Sequence, residues 1–177
     1  MKGLLQFGFE AAKIVVIALL VVLPLRAFVF EPFLVRGSSM VPSYHNGDYL
    51  IVDKLSYRFN EPDRGDVIVL EFPQDRSQKF LKRVIGLPRE RVEVQDGKVV
   101  IYGGENEAVV LDESLYLPLD LETPGSVTID LDEDEYFVLG DNRPASSDSR
   151  KWGVLPASLI VGKVVFNALS LEAFAKE

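Results

Sequence analysis

Residues 64–86 read Arg-Gly-Asp-Val-Ile-Val-Leu-Glu-Phe-Pro-Gln-Asp-Arg-Ser-Gln-Lys-Phe-Leu-Lys-Arg-Val-Ile-Gly. Two short runs rich in β-branched and aromatic residues, Val67 to Phe72 and Phe80 to Ile85, stand on either side of a polar stretch. Neither run shows the period of an amphipathic helix, and the Arg64-Gly65-Asp66 turn signal precedes the first. The stretch therefore predicts two β-strands joined by a polar connection.

The same pattern continues on both sides of this stretch. The chain has further short apolar runs bounded by turn signals at Tyr49 to Val52, Val92 to Val94, Val99 to Tyr102, Val127 to Ile129, Tyr136 to Leu139 and Val161 to Phe166. Asp96-Gly97 between two of these runs predicts a tight hairpin, and residues 103–125 are expected to be a variable, loop-rich stretch. The fold class predicted is mainly β, with folded or coiled antiparallel sheets.

The N-terminal segment is apolar. Ile14 to Leu25 is unbroken, and Ala27 to Phe30 extend the run beyond Arg26 to seventeen positions. A membrane-spanning helix needs about 20 apolar residues, and no small-residue cleavage site follows as it would in a cleaved leader. A buried core helix would not be apolar around its whole circumference. We therefore expect one N-terminal transmembrane helix in residues 1–31 and a single β-rich domain in residues 32–177.

Composition excludes several classes of function. The chain of 177 residues has no cysteine and one histidine, so thiolate catalysis, disulfides and Cys/His metal clusters are excluded, and we expect no metal or cofactor. Its net charge is −8, with +2 in residues 1–30 and therefore −10 in the remainder. Such an acidic domain is a poor nucleic-acid binder.

A serine nucleophile needs a base within hydrogen-bond reach, and Ser39 has two candidates. His45 follows six residues later in a turn-rich stretch that is typical of solvated loops. Lys82 lies within an apolar strand, where Phe80 shares its face and can desolvate it. Burial can lower the lysine pKa far enough for general-base catalysis, whereas Arg83 stays charged and is expected to form a surface or structural ion pair.

Three motifs occur in order: Gly37-Ser38-Ser39-Met40-Val41-Pro42, Lys82-Arg83-Val84-Ile85-Gly86-Leu87-Pro88, and Gly140-Asp141-Asn142-Arg143 continuing through Ser146 and Asp148 to Arg150. In this combination the chain resembles the type I signal peptidases. The resemblance implies that Ser39 is the nucleophile and Lys82 the general base, that Ser146 hydrogen-bonds the lysine, and that Asp148 and Arg150 form a supporting ion pair.

The resemblance also implies an oxyanion hole and a substrate pocket. The Ser39 backbone N–H is one oxyanion donor, but Gly37 stands where many relatives have a serine, so the second donor is unassigned. Shallow pockets for small side chains are expected to be lined by Phe33, Val35, Met40, Leu50, Val69, Phe80 and Leu81. A simple core role for these residues is the alternative.

The activity so implied is a membrane-anchored serine endopeptidase that removes signal peptides after Ala-x-Ala type sites through an acyl-enzyme. Basic residues flank both ends of the anchor, so the orientation follows from the resemblance: a cytoplasmic N-terminus and an extracytoplasmic domain at the bacterial plasma membrane. The expected partners are preproteins, the lipid bilayer and the secretion translocon. The alternatives are a non-catalytic membrane-anchored β-domain that binds signal sequences or translocation partners, and a self-cleaving Ser/Lys repressor, for whose DNA-binding domain residues 1–31 offer no room.

Overall fold

The computed structural model of the chain describes residues 2–24, 29–103 and 108–169. Its first element is a helix, α1, over Lys2–Pro24. Within the described ranges, no helix is both long enough and apolar enough to cross a membrane. Residues 25–28 of the expected transmembrane segment lie outside the described residues, and the chain is extended again from Phe30.

The elements beyond α1 are almost all strands. They are β1 (Phe30–Leu34), β2 (Tyr49–Asp53), β3 (Val67–Phe72), β4 (Asp75–Gly86), β5 (Arg91–Gln95), β6 (Lys98–Tyr102), β7 (Ala108–Val110), β8 (Val127–Asp130), β9 (Glu135–Leu139), a short helix α2 (Ser149–Trp152), β10 (Leu155–Pro156) and β11 (Ile160–Leu169). Single turns of 3₁₀-helix cover Ser56–Arg58 and Ala157–Leu159.

The strands form two antiparallel sheets. The larger has seven strands in the order β1-β2-β11-β3-β4-β9-β10, and the smaller has four in the order β7-β6-β5-β8. The prediction of a mainly β, antiparallel fold is confirmed, and all eight strands predicted from the sequence are present. Asp96 and Gly97 form the predicted hairpin between β5 and β6, with φ of 51° and 77°. The structure adds β1, β7 and β10; the predicted boundary at residues 31/32 falls inside β1.

The core holds β4 firmly in place. Six consecutive residues of this strand, 81–86, are buried, and its two neighbours β3 and β9 pair with it on either side. Leu81 packs into one apolar cluster, Val84 into a second, and Ile85 into a third that joins the two sheets. Each such fully buried aliphatic side chain stabilises the fold by about 1.5–3 kcal/mol. A side chain on this part of β4 is therefore held on a rigid support.

Candidate active site

Ser39 lies in the loop that connects β1 and β2. The base of this loop is closed by two backbone hydrogen bonds, from Val35 N–H to Asp48 O and from Gly47 N–H to Val35 O, each 2.9 Å long. Gly37 has a φ of 94°, a value that strains residues with a side chain, and its N–H donates to Asn46 Oδ1 at 2.9 Å. The loop thereby presents Ser39 as a partly exposed residue at the surface of the larger sheet.

Lys82 meets Ser39 from the rigid centre of β4. Its Nζ lies 3.1 Å from Ser39 Oγ and 2.9 Å from Leu81 O, so two of its hydrogen bonds are satisfied. Only 3% of Lys82 is exposed, and Phe80 holds its ring 5.3 Å from Nζ. The nucleophile and the base predicted from the sequence are therefore within hydrogen-bond distance, although 43 residues separate them in the chain.

The environment of Lys82 favours its neutral form. Burial lowers the pKa of the lysine from its ordinary value of 10.5 to about 8, while the nearby carboxylates of Asp148 and Asp141 act in the opposite direction and the Arg150 cation again lowers it. Close to pH 8, Lys82 is thus neutral and able to accept a proton in about half of the molecules. A base with this pKa can deprotonate a serine near physiological pH.

The third motif packs directly against the nucleophile loop. Asn142 donates twice to that loop, from its N–H to Ser39 O at 3.0 Å and from Nδ2 to Ser38 O at 2.9 Å. Gly140 approaches so closely that an added Cβ would lie 2.2 Å from Ser146 Oγ and 2.5 Å from Ser39 O. Only glycine fits at this position, and Gly140 and Asn142 together fix the backbone of Ser39.

Ser146 is buried beside the dyad without the expected contact. It is 1% exposed, and its Oγ makes no hydrogen bond to Lys82; its hydroxyl instead neighbours the Asp148 carboxylate, whose pKa it helps to lower. The hydrogen bond to Lys82 that the resemblance implies is therefore not formed in this structure. The amine of Lys82 is oriented by Ser39 and by Leu81 O instead.

Asp148 and Arg150 form an ion pair under the dyad. Arg150 contacts the carboxylate twice, with Nη2 at 2.7 Å and Nε at 2.8 Å, and Asp148 is fully buried. Burial alone would raise the pKa of Asp148, but the Arg150 guanidinium and the hydrogen bond from Gly140 N–H outweigh it and hold that pKa below its usual range. The pair also ties the motif together, because Arg150 Nη2 donates to Arg143 O at 2.7 Å.

A second ion pair, between Arg83 and Asp141, was not identified from the sequence. Arg83 is 8% exposed and Asp141 fully buried, and Nη2 and Nε of the arginine contact the carboxylate at 2.5 and 2.8 Å. Of the two alternatives left open for Arg83, a surface pair is therefore wrong and a buried structural pair is correct. An arginine within an apolar strand was the available signal, because a buried guanidinium requires a charged partner.

Residues 111–125 also contribute to the site, although the sequence indicated only a variable loop. Arg143, 1% exposed, donates to Glu113 Oε2 at 2.8 Å and Oε1 at 2.5 Å and to Thr123 Oγ1 at 2.5 Å. Tyr116 places its ring 3.9 Å from the guanidinium carbon of Arg83. Nothing in the local sequence of this loop distinguishes these residues from ordinary solvated ones.

The residues expected to line the substrate pocket are mostly buried. Phe33, Val35, Met40, Leu50, Val69 and Leu81 pack in one apolar cluster, and Phe80 packs against the neighbouring one. Of these six residues only Phe33 is more than 5% exposed. Because Met40 and Leu81 immediately adjoin Ser39 and Lys82, this cluster supports those two residues from below.

Residues 8–169 match the family described as signal peptidase, peptidase S26. The chain is 39% identical to a probable signal peptidase I-1 of Synechocystis sp., covering 91% of this chain and 82% of that protein. It is 36% identical to a signal peptidase I of Bacillus caldolyticus, covering 90% of each chain.

The chain is also similar to the crystal structure of a signal peptidase I from Enterococcus faecalis V583. The sequence identity is 31%, the TM-score is 0.49, and the match covers 60% of this chain and 98% of that one. Relatives named as signal peptidases match nearly the whole length of this chain, and the family match extends over most of it. The chain therefore belongs to the signal peptidase family, peptidase S26, which is a family of enzymes.

Proposed function

We propose that this enzyme is a membrane-anchored endopeptidase that removes signal peptides from preproteins by means of a Ser39/Lys82 dyad. The observation that carries the proposal is the buried Lys82 amine 3.1 Å from Ser39 Oγ. Curated relatives named signal peptidase I support the substrate class, and they disfavour the alternative of a non-catalytic binding domain.

In the proposed reaction, neutral Lys82 accepts the Ser39 proton while Oγ attacks the scissile carbonyl carbon. The tetrahedral intermediate collapses when the C–N bond breaks and the Lys82 ammonium returns the proton to the leaving amine. Water then attacks the ester carbonyl with Lys82 again as base, and Ser39 leaves with the proton. The peptide bond is hydrolysed without net proton release from the dyad.

The oxyanion that develops in both steps needs hydrogen-bond donors. In the described part of the chain the Ser39 N–H donates to no protein acceptor, which leaves it available for this role. The N–H of Gly37 is already used by Asn46 Oδ1, so the second donor comes from elsewhere. Ser39 N–H is the first donor in this proposal.

Specificity for small side chains before the cut is part of the same proposal. The apolar cluster under the dyad is closely packed, with Val35, Met40 and Leu81 each at most 5% exposed. A surface without deep openings accepts alanine and excludes larger side chains by steric conflict. Cleavage after Ala-x-Ala is the outcome that this shape favours.

Membrane attachment is proposed for α1. Its apolar side chains are exposed at consecutive positions, with Ile14 67%, Val15 56%, Val16 54% and Ile17 57% accessible. A helix that is apolar all round is unstable in water and is stabilised by lipid. The proposed orientation is the one expected from the sequence, with the N-terminus cytoplasmic and the catalytic domain extracytoplasmic. Flotation of the protein with phospholipid vesicles tests attachment, and recovery only in the lipid-free fraction contradicts it.

The activity is tested with the detergent-solubilised protein and a preprotein carrying an Ala-x-Ala site. The cut is mapped by mass spectrometry for the parent, Ser39→Ala, Lys82→Met and the control His45→Gln. We expect cleavage after the second alanine by the parent and by His45→Gln, and none by the two dyad variants. Cleavage by Lys82→Met refutes the lysine mechanism, whereas failure of the folded parent on several preproteins refutes the proposed activity.

A further inference from the structure

Residues 111–125, here called the strap, connect the smaller sheet with the catalytic segments. At one end Leu111 N–H donates to Val99 O at 2.9 Å, and at the other Thr123 N–H donates to Gly97 O at 2.8 Å. Both acceptors belong to the β5–β6 hairpin or its turn. Both ends of the strap are thus hydrogen-bonded to the smaller sheet rather than to the segments that carry Ser39 and Lys82.

Side chains in the middle of the strap contact two arginines from the segments that carry or support the dyad. Glu113 binds Arg143 through both carboxylate oxygens, at 2.5 and 2.8 Å, and Arg143 Nε in turn donates to Gly140 O at 3.1 Å. Tyr116 lies against Arg83, the residue after Lys82, with its ring 3.9 Å from the guanidinium carbon. The Tyr116 hydroxyl donates to Glu113 Oε1 at 2.7 Å and so joins the two contacts.

These contacts extend to the nucleophile in short steps. Gly140 packs against Ser39 O, and the next residue but one, Asn142, binds the carbonyls of Ser38 and Ser39. Arg143 is 1% exposed, and its only charged partner among the described residues is Glu113. A displacement of Arg143 would therefore move the segment that fixes the backbone of Ser39.

We propose that Glu113 and Tyr116 are positioning residues for the dyad. Through Arg143 the strap fixes the third motif, and through Arg83 it fixes the part of β4 that carries Lys82. This inference rests on the proposed function. Neither residue touches the reacting atoms, and each acts through an arginine. Displacement of reacting groups by about 1 Å can cost on the order of 10²-fold in rate. A contact on the strap can thus control the chemical step without contributing to substrate binding.

The test measures kcat and KM for an Ala-x-Ala preprotein with Glu113→Gln, Glu113→Ala and Tyr116→Phe. Glu122→Gln is the matched control, because Glu122 is an exposed carboxylate of the same strap without an ion pair among the described residues. Circular dichroism and the fluorescence of the single Trp152 establish a temperature at which every variant is folded. All rates are compared at that temperature, so that a loss of folded protein does not enter them.

We expect Glu113→Ala to lower kcat by roughly tenfold or more with KM changed by less than about twofold, the pattern of a lost transition-state arrangement. Glu113→Gln, which keeps an acceptor for Arg143, is expected to recover part of that loss, and Tyr116→Phe to lie between it and the parent. If folded Glu113→Ala has the same kcat as the parent, or if Glu122→Gln loses as much kcat as Glu113→Ala, the inference is overturned. If Glu113→Ala does not fold at any temperature, Tyr116→Phe decides: a parent-like kcat overturns the inference. An inactive parent would refute the proposed function instead.

Discussion

Replacement of Lys82 by methionine should make the stability of the protein respond differently to pH. The folded-state pKa of Lys82 is lowered by burial from 10.5 to about 8. Below pH 8 both the folded and the unfolded states bind the proton, and folding carries the cost of burying an ammonium. Between pH 8 and 10.5 the unfolded state binds more protons than the folded state, so this contribution to the free energy of unfolding rises with pH.

The size of the effect follows from the two pKa values. At about 1.4 kcal/mol for each tenfold change in the binding constant, the rise amounts to about 3 kcal/mol. Methionine has a similar volume and no proton to bind, so Lys82→Met lacks the rise. Its stability relative to the parent should therefore fall by about 3 kcal/mol between pH 7 and pH 10.5.

Urea titrations at a series of pH values, followed by far-UV circular dichroism, measure this difference. Other groups titrate alike in both proteins, so their contributions cancel when one free energy of unfolding is subtracted from the other. Lys98→Met, at an exposed position of β6, controls for the loss of a surface lysine. A parent-to-variant difference that stays constant within about 0.5 kcal/mol from pH 7 to 10.5 refutes the argument that burial depresses the lysine pKa.

Three further predictions follow from the same site. The rate constant for Ser39 acylation should rise with pH along one titration centred at about pH 8, because only neutral Lys82 accepts the proton; stopped-flow cleavage measures it, and a rate that does not change from pH 6 to 9 contradicts it. Asp141→Asn should destabilise the fold by about 3–5 kcal/mol in urea titrations, because it leaves buried Arg83 without a carboxylate; a loss below about 1 kcal/mol would show that the pair is not required. Gly140→Ala should lower kcat by on the order of 10²-fold in steady-state cleavage, because its Cβ would lie 2.5 Å from Ser39 O; activity equal to that of the parent contradicts the close packing.

Local sequence patterns were sufficient to predict eight of the eleven strands in the described residues and to single out Ser39 and Lys82, which lie within hydrogen-bond distance of each other. Short β-branched runs between turn signals mark those eight strands, since apolar residues and Gly-containing turns act over a few positions. Ser39 and Lys82 could be predicted as nucleophile and base because each lies in a recognisable motif and because the apolar neighbours of Lys82 indicate a desolvated amine.

Contacts between residues far apart in the chain could not be predicted from local sequence patterns. Glu113 and Arg143 are 30 residues apart, and their pairing depends on how the strap crosses between the sheets. The hydrogen bond expected between Ser146 and Lys82 depends on side-chain positions that a motif does not specify, and here it is not formed. β1 was missed because Pro32 interrupts its apolar pattern, a position that an edge strand tolerates.

Direct detection of the acyl-enzyme tests the central claim, that Lys82 activates Ser39 as a nucleophile. The detergent-solubilised parent and Lys82→Met are mixed with an Ala-x-Ala peptide near pH 9, quenched with acid within the first turnover, digested and analysed by mass spectrometry. We expect an acyl group on Ser39 of the parent and none on the variant. An acyl group on another residue, or equal acylation of Ser39 in Lys82→Met, would contradict it.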